Sequence, residues 1–468
     1  MPPTRERHMP GTIAIDKMRT DVQGRVIGPD DPEYDEARTL FYGGMNRRPA
    51  VIVRVANDAD VVRVIALARE TGLELAVRSG GHSIPGHSVS EGGIVLDLGD
   101  LRGIDIDPDG KTGWSETGVT AVEFANAAHE DGLALGFGDT GSVGIGGITL
   151  GGGVGYLARK YGLTIDDLLA ADVVTAGGVV RRVDAQTEPD LFWAIRGGGG
   201  NFGVATRFRY RLHELPTVIG GMLLLPATAE TIAGFIAHAE AAPKELSAIA
   251  NVMKAPPMPF VPEEAHGKLA IMAQVCFAGD AEEGERVLAP FRALAKPLAD
   301  MVRPIPYPDI YPPEEEGYHP IATAHNMFVE AIGVPQAETI LEHLGTSTAM
   351  MGVAQLRVLG GAVARVPNDA TAYAHRDRRI MVNIAALHER AEEAEKHLPW
   401  LRGFVDAMRH GDDDAAYVNF LGDEGEGRIR AAYPGNTWDR LREIKARYDP
   451  DNLFHLNQNI APARDPTA

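Results

Sequence analysis

The sequence predicts an α+β protein in which one domain is assembled from both ends of the chain and a second is inserted between them. Three observations predict it. The first half alternates short apolar runs with helical patterns, and residues 216–410 mix amphipathic helices with strand-like runs. Residues 437–468 then return to the character of the first half. The expected division is an N-terminal extension at 1–24, a two-part unit at 25–215 and 437–468, and an insertion at 216–436. No fixed-period repeat is present.

Ala50-Val-Ile-Val-Arg-Val55 is a run of strand formers, and Asn57 is placed to cap the helix that follows. That helix carries Val61, Val62, Ile65, Ala66 and Ala68 on one stripe and stops at Gly72. Leu73-Glu-Leu-Ala-Val77 is a second strand leading straight into Arg78. Strands at 94–98, 103–107 and 111–118 come next, then a helix at 120–131. Beyond a glycine-rich stretch at 136–155 lie strands near 168–176 and 179–183. In the insertion, helices are expected at 228–242, 280–296 and 389–409, with strands near 248–254, 268–277, 353–359 and 379–386. A proline-rich loop runs from Arg303 to Pro313.

The formal charge of −20 makes nucleic acid and anionic lipid unfavourable partners. The acidic runs Glu314–Glu316 and Asp412–Asp414 read as solvated loops. No apolar stretch approaches the roughly 18 residues of a membrane span. The segment Met1-Pro-Pro-Thr-Arg-Glu-Arg-His-Met-Pro10 lacks the apolar core of a secretion signal, so a soluble, cytoplasmic protein is expected. The lone Cys276 excludes an internal disulfide framework and cysteine-rich metal or cluster sites. Its apolar surroundings mark it as a small core residue.

With 53 glycines and 31 prolines in 468 residues, the composition stays below that of low-complexity disorder, so the glycines are expected to have local roles. Three clusters concentrate them: Arg78-Ser-Gly-Gly-His-Ser-Ile-Pro-Gly-His-Ser88, residues 138–155, and Arg196-Gly-Gly-Gly-Gly-Asn-Phe-Gly-Val204. Paired glycines after a strand turn the backbone sharply and can present N–H groups to an anion such as a pyrophosphate. The middle cluster is half glycine, a composition that no ordinary helix or strand would choose. Together the three suggest extended wrapping of a phosphate-bearing cofactor.

Simpler motifs fail. Gly153-Val-Gly-Tyr-Leu-Ala158 nominally fits a dinucleotide fingerprint, but its helix would be short and position 175 is threonine rather than an acid. No phosphate-binding P-loop occurs. His82 and His87 lie five apart without further ligands at metal-site spacing, so no metal is expected. A nucleophile elbow is also missing.

The three clusters, in order before Tyr448-Asp-Pro-Asp-Asn-Leu-Phe454 and Asn457-Gln-Asn-Ile-Ala-Pro462, resemble the covalent-flavin oxidases of the vanillyl-alcohol-oxidase superfamily. The similarity is to the berberine-bridge-enzyme-like and 6-hydroxy-D-nicotine-oxidase-like branch, over residues 25–462. It implies a two-part PCMH-type FAD-binding domain and an inserted substrate domain of antiparallel sheet flanked by helices. It implies FAD bonded through His82. Arg78, Ser79, Gly80, Gly81, Ser83 and Ser88 would serve the cofactor from the first loop. Thr140, Gly141, Val143, Gly144, Gly147, Gly151, Gly153 and Gly155 would do so from the second, with Val204, Asn457 and Asn459 from the later segments. Some relatives attach flavin twice through a cysteine. Here Thr140 stands in that slot, so a single bond is expected.

The resemblance further implies an FAD-dependent oxidase. Hydride would pass from a C–OH carbon of a small molecule to flavin N5, and oxygen would be reduced to hydrogen peroxide. The alternatives are amine C–N oxidation, a dehydrogenase with another acceptor, and a flavin-binding protein without turnover. Tyr417-Val-Asn-Phe420 matches a Tyr-x-Asn-Tyr pattern except at Phe420. Tyr417 is expected as the base, with Asn419 beside it. Were the second tyrosine of that pattern the working one, Tyr417 would be structural. A free phenol ionises near pH 10, so a base role needs a neighbouring cation or hydrogen bond. Strand alternation pairs Gln355 with Arg357, and Tyr373 with His375, as candidate substrate contacts. The oligomeric state is left open.

Overall fold

The computed structural model describes residues 13–314, 317–409, 411 and 414–464. Met1–Pro10, Glu315, Glu316, Asp412 and Asp413 lie outside the described residues. Among the described residues, two small sheets and one large sheet surround a shared cavity, and Leu133–Ala134 pairs with His213–Glu214 in a two-stranded sheet. No described helix is long and apolar enough to cross a membrane.

The first sheet runs in the order Arg25–Ile27, Val51–Arg54, Ile94–Asp97, Leu75–Arg78, its last three strands parallel. Parallel strands covered on both faces favour apolar residues, and Ile94, Val95 and Leu96 are fully buried, while the buried Asp97 is paired with Arg54 and Arg78. The crossover helix Asp58–Thr71 starts where Asn57 accepts from the Asp60 N–H at 3.0 Å and ends at Gly72, with φ 67°. Both punctuation marks fall where the sequence places them.

A five-stranded antiparallel sheet follows, ordered Ile104–Asp107, Thr112–Glu116, Val204–Arg211, Leu168–Val174, Val180–Asp184. Its inner face contributes Phe208 and Tyr210 to a core that also holds Leu441 and Ile444 of the late helix Asn436–Tyr448. The two ends of the chain therefore share one apolar interior.

The third sheet has eight strands, antiparallel throughout. Its long path runs Thr217–Pro226, Leu269–Phe277, Leu246–Lys254, Met351–Val358, Ile380–His388, Ile321–Val329. Helices Ala229–Ala241, Ala281–Arg292, Val334–Thr346 and Ala394–Met408 bury Phe235, Leu288, Ile340 and Phe404 against one face. The other face looks toward the cavity. Cys276 is buried in this sheet as a free thiol.

Some elements depart from expectation. The middle glycine cluster contains a helix, Ile145–Gly151. Tertiary contact rather than propensity holds it, since a Cβ at Gly146 would strike Ser79 and one at Gly151 would strike Asn419. Strands Thr217–Pro226 and Ile321–Val329 and helix Val334–Thr346 have no counterpart in the sequence reading. The first is disguised by Gly221, whose φ of 138° lets the chain pass within reach of the Met301 carbonyl. The proline-rich loop holds a short strand, Arg303–Pro306. Residues 373–375 are irregular rather than a strand, so alternation does not govern Tyr373 and His375.

Candidate active site

A cavity of about 460 Å³ lies where the two small sheets meet the open face of the large one. Its walls come from the loop after Leu75–Arg78, the middle glycine cluster, residues 199–205, strand residues 355, 357 and 383, residues 417–421, and residues 454–458. Ser79 Oγ donates to the Thr117 carbonyl at 2.6 Å and fixes the first loop at its root.

His82 stands in the cavity wall with its ring stacked on Phe41 at 4.0 Å. Ser142 Oγ lies 2.9 Å from His82 Nε2. Burial pushes the imidazole down to about 4, so the ring is neutral at physiological pH. His87, also in the wall, is likewise held down to about 4 by burial and by Arg47.

Tyr417 opens onto the same cavity and is 2% exposed. Its hydroxyl oxygen accepts from the Gly153 N–H at 3.0 Å and from Asn419 Nδ2 at 2.9 Å. Asn419 Nδ2 also donates to the Ile148 carbonyl, and Gly151 has no side chain because Asn419 occupies that space. Burial raises the phenol above its ordinary value; the two donors and the Arg357 charge oppose that without overcoming it. Phe420 lines the wall beside it, under the Arg357 guanidinium at 4.9 Å.

Arg357 donates to Asp139 Oδ2 at 2.5 Å, to Gln355 Oε1 at 2.7 Å and to the Val154 carbonyl at 3.2 Å. It is 4% exposed and fully engaged. The C-terminal segment closes the far end. Asn201 Oδ1 accepts from the Ile460 N–H, and Lys445 Nζ donates to the Asn201 and Phe454 carbonyls and to Asp449.

Residues 49–184 match the FAD binding domain family model, and residues 416–461 match berberine and berberine like. The (R)-6-hydroxynicotine oxidase of Paenarthrobacter nicotinovorans is 30% identical over 455 residues, covering 94% of this chain and 97% of its own. The chain belongs to the FAD-linked oxidoreductases. An uncharacterized FAD-linked oxidoreductase of Bacillus subtilis is 31% identical, covering 95% of this chain and 99% of its own. The crystal structure of 6-hydroxy-D-nicotine oxidase from Arthrobacter nicotinovorans matches with TM-score 0.83 at 28% identity, over 94% of this chain and 98% of that one. Xylooligosaccharide oxidase from Myceliophthora thermophila shares the fold at TM-score 0.84 and 23% identity, over 97% and 100%.

The residues present fit FAD. Asn457 Oδ1 is buried without a hydrogen-bond partner, and Asn457 belongs to the cavity wall. Glycines of three loops also line the cavity, and backbone of that kind suits a pyrophosphate. No group of three or more His, Cys, Asp or Glu among the described residues could hold a metal.

The cavity of this FAD-linked oxidoreductase gathers most of the expected site residues. Ser79, Gly80, Gly81, His82, Ser83 and Ser88 line it, as do Thr140, Val143, Gly144, Gly147, Val204 and Asn457. Gln355, Arg357, Tyr417 and Asn419 line it too. Arg78 does not; its guanidinium is drawn behind the loop to Asp97 and the Thr39 carbonyl. Gly141, Gly151, Gly153, Gly155 and Asn459 lie outside the wall, with Gly151 and Gly153 acting through Asn419 and Tyr417. Tyr373 and His375 are buried away from it, His375 Nε2 being 3.1 Å from the Ala431 carbonyl. Sequence reasoning missed Asp139, Ser142 and Asn383. The first two sit inside the quoted glycine cluster. Asn383 was reachable only by extending alternation to the neighbouring strand.

Proposed function

We propose that the protein is an oxidase acting on a C–OH carbon of a small molecule, with FAD held by a single covalent bond through His82. When bound, FAD supplies a two-electron acceptor that takes hydride from the substrate carbon and passes the electron pair to oxygen, giving hydrogen peroxide. The observation that carries this reading is the shared cavity of His82 and Tyr417. The neutral His82 ring has a nucleophilic nitrogen available for the bond, and Thr140 offers no thiol for a second one. Tyr417 takes the hydroxyl proton, and its oxygen, with two donors aimed at it, is suited to carry the charge. Residues 25–215 with 437–468 hold the cofactor and 216–436 the substrate in this reading. The net charge of −20 supports a freely diffusing cytoplasmic enzyme over one held on anionic lipid.

A second reading is amine C–N oxidation. It is favoured by the raised phenol of Tyr417, since a neutral amine loses hydride without a strong base. Anaerobic mixing with alcohols and with cyclic amines, followed by bleaching of the flavin band, separates the two. Reoxidation of the reduced protein in aerated buffer separates an oxidase from a dehydrogenase. Sluggish reoxidation would sink the oxidase reading.

A further inference from the structure

Four side-chain amides stand in line across four neighbouring strands of the large sheet. Register pairs Asn251 with Gln355, Gln355 with Asn383, and Asn383 with Asn326. Directly paired residues share a face, so all four amides lie on one side at intervals of about 4.8 Å, the strand spacing. That side is the cavity side, where Gln355 and Asn383 form part of the wall.

Three of the four are held in place by the protein. Gln355 Nε2 donates to Asn251 Oδ1 at 3.0 Å, while Gln355 Oε1 accepts from Arg357. Asn326 Oδ1 accepts from the Tyr417 N–H at 2.7 Å. Asn326 Nδ2 is buried without an acceptor, and Asn383 Oδ1, in the residue that lines the cavity, is buried without a donor. A buried amide oxygen left this way is costly unless a ligand satisfies it.

The charge around the line is closed. Arg357 is the cation of the wall and Asp139 its anion, and they are bonded to each other. The wall's histidines, His82 and His87, are neutral at pH 7. Tyr42 is pushed up to about 12 by burial and so is neutral as well. A ligand carrying its own charge would enter without a counter-ion, which is unfavourable in a buried site. A carboxylate would also present only acceptors to an acceptor. A hydroxyl both donates and accepts, as an amide does.

We propose that the line Asn251–Gln355–Asn383–Asn326 is the substrate-recognition wall, and that it selects an uncharged molecule whose hydroxyl donates to Asn383 Oδ1. Asn383 determines specificity, and Gln355 is a positioning residue that holds the line against Arg357. This rests on the oxidase reading above for the identity of the cavity as a substrate site.

The test uses the flavin-loaded full chain in its oxidised form under nitrogen, titrated while the visible flavin spectrum is followed. The probes are two matched sets: glucose, glucuronate and glucosamine; and benzyl alcohol, benzoate and benzylamine. The neutral hydroxyl member of at least one set should bind at least about tenfold more tightly than its charged partners. Asn383→Leu should weaken that binding about tenfold, with flavin content and melting temperature unchanged. Asn383→Asp, nearly isosteric, should move the preference toward the ammonium member, a change that a structural role would not produce. Tightest binding of a charged member in both sets, no binding of either neutral member, or unaltered affinity in both variants overturns the proposal. Binding of the neutral member without flavin reduction upholds the wall and removes the oxidase reading instead.

Discussion

Gly80 and Gly144 meet backbone to backbone: a Cβ built on either would lie 2.2 Å from the other's amide nitrogen. The contact joins the loop that carries His82 to the start of helix Ile145–Gly151. Neither glycine has a positive φ, so the requirement is for space rather than conformation. Gly144→Ala should therefore push the two loops apart, at a cost of about 1–3 kcal/mol. The checks are a lower melting temperature and a lower ratio of flavin to protein absorbance after purification.

His82→Ala should abolish covalent colour while leaving the glycine loops to bind FAD reversibly. Acid-precipitated wild-type protein should stay yellow, and the variant's pellet should be white. Release of all flavin from wild-type protein would refute the attachment.

Tyr417→Phe keeps the ring but removes the oxygen that accepts from Gly153 and Asn419. If Tyr417 is the base, flavin reduction by an alcohol should slow by about 10²–10⁴. A base works when deprotonated, and burial lifts this phenol above its ordinary value. The wild-type rate should therefore keep climbing as pH rises through 10, and that limb should vanish in the variant. An unchanged reduction rate returns Tyr417 to a packing role.

Lys445 and Asp449 are fully buried together, 2.6 Å apart. Asp449→Asn leaves the ammonium without its partner and should cost about 3–5 kcal/mol, read as a shifted urea midpoint. Replacing both residues, Lys445→Met with Asp449→Leu, should recover much of that stability. It should still loosen flavin, because the tie to the Asn201 carbonyl is gone.

The stability of the protein should fall on acidification through a defined window. His87 titrates at about 4 in the folded chain and near 6.5 when unfolded. Between those values the unfolded state binds the proton first, so stability present above pH 6.5 is lost progressively down to about 4. His87→Asn should flatten the fall in melting temperature across that range.

Local signals account for what the sequence made legible. Asn57 and Gly72 bracket their helix because capping is decided within a few residues. The glycine clusters located the cavity because close backbone approach tolerates no side chain. What was hidden depends on residues far away in the chain. The amide line exists only through strand register, with Asn251 and Gln355 separated by 104 positions. Alternation misplaced Tyr373 and His375 because other bonds hold that stretch: Arg376 to Asp166, and the Tyr373 N–H to the Arg196 carbonyl. Arg78 followed its motif into the right loop, but Asp97 claims its charge. The helix at Ile145–Gly151 contradicts its own composition because its neighbours need the missing side chains.

Lys445 reaches back 244 residues to the Asn201 carbonyl, which gives assembly a direction in time. On the ribosome, all three glycine loops emerge long before the lysine that secures the last of them. A nascent chain can fold its first sheet early, yet its cofactor chamber stays open on one side until this late helix docks. Flavin capture should therefore wait for this helix, and a ribosome stalled before residue 445 should carry a folded parallel sheet but no tightly held flavin.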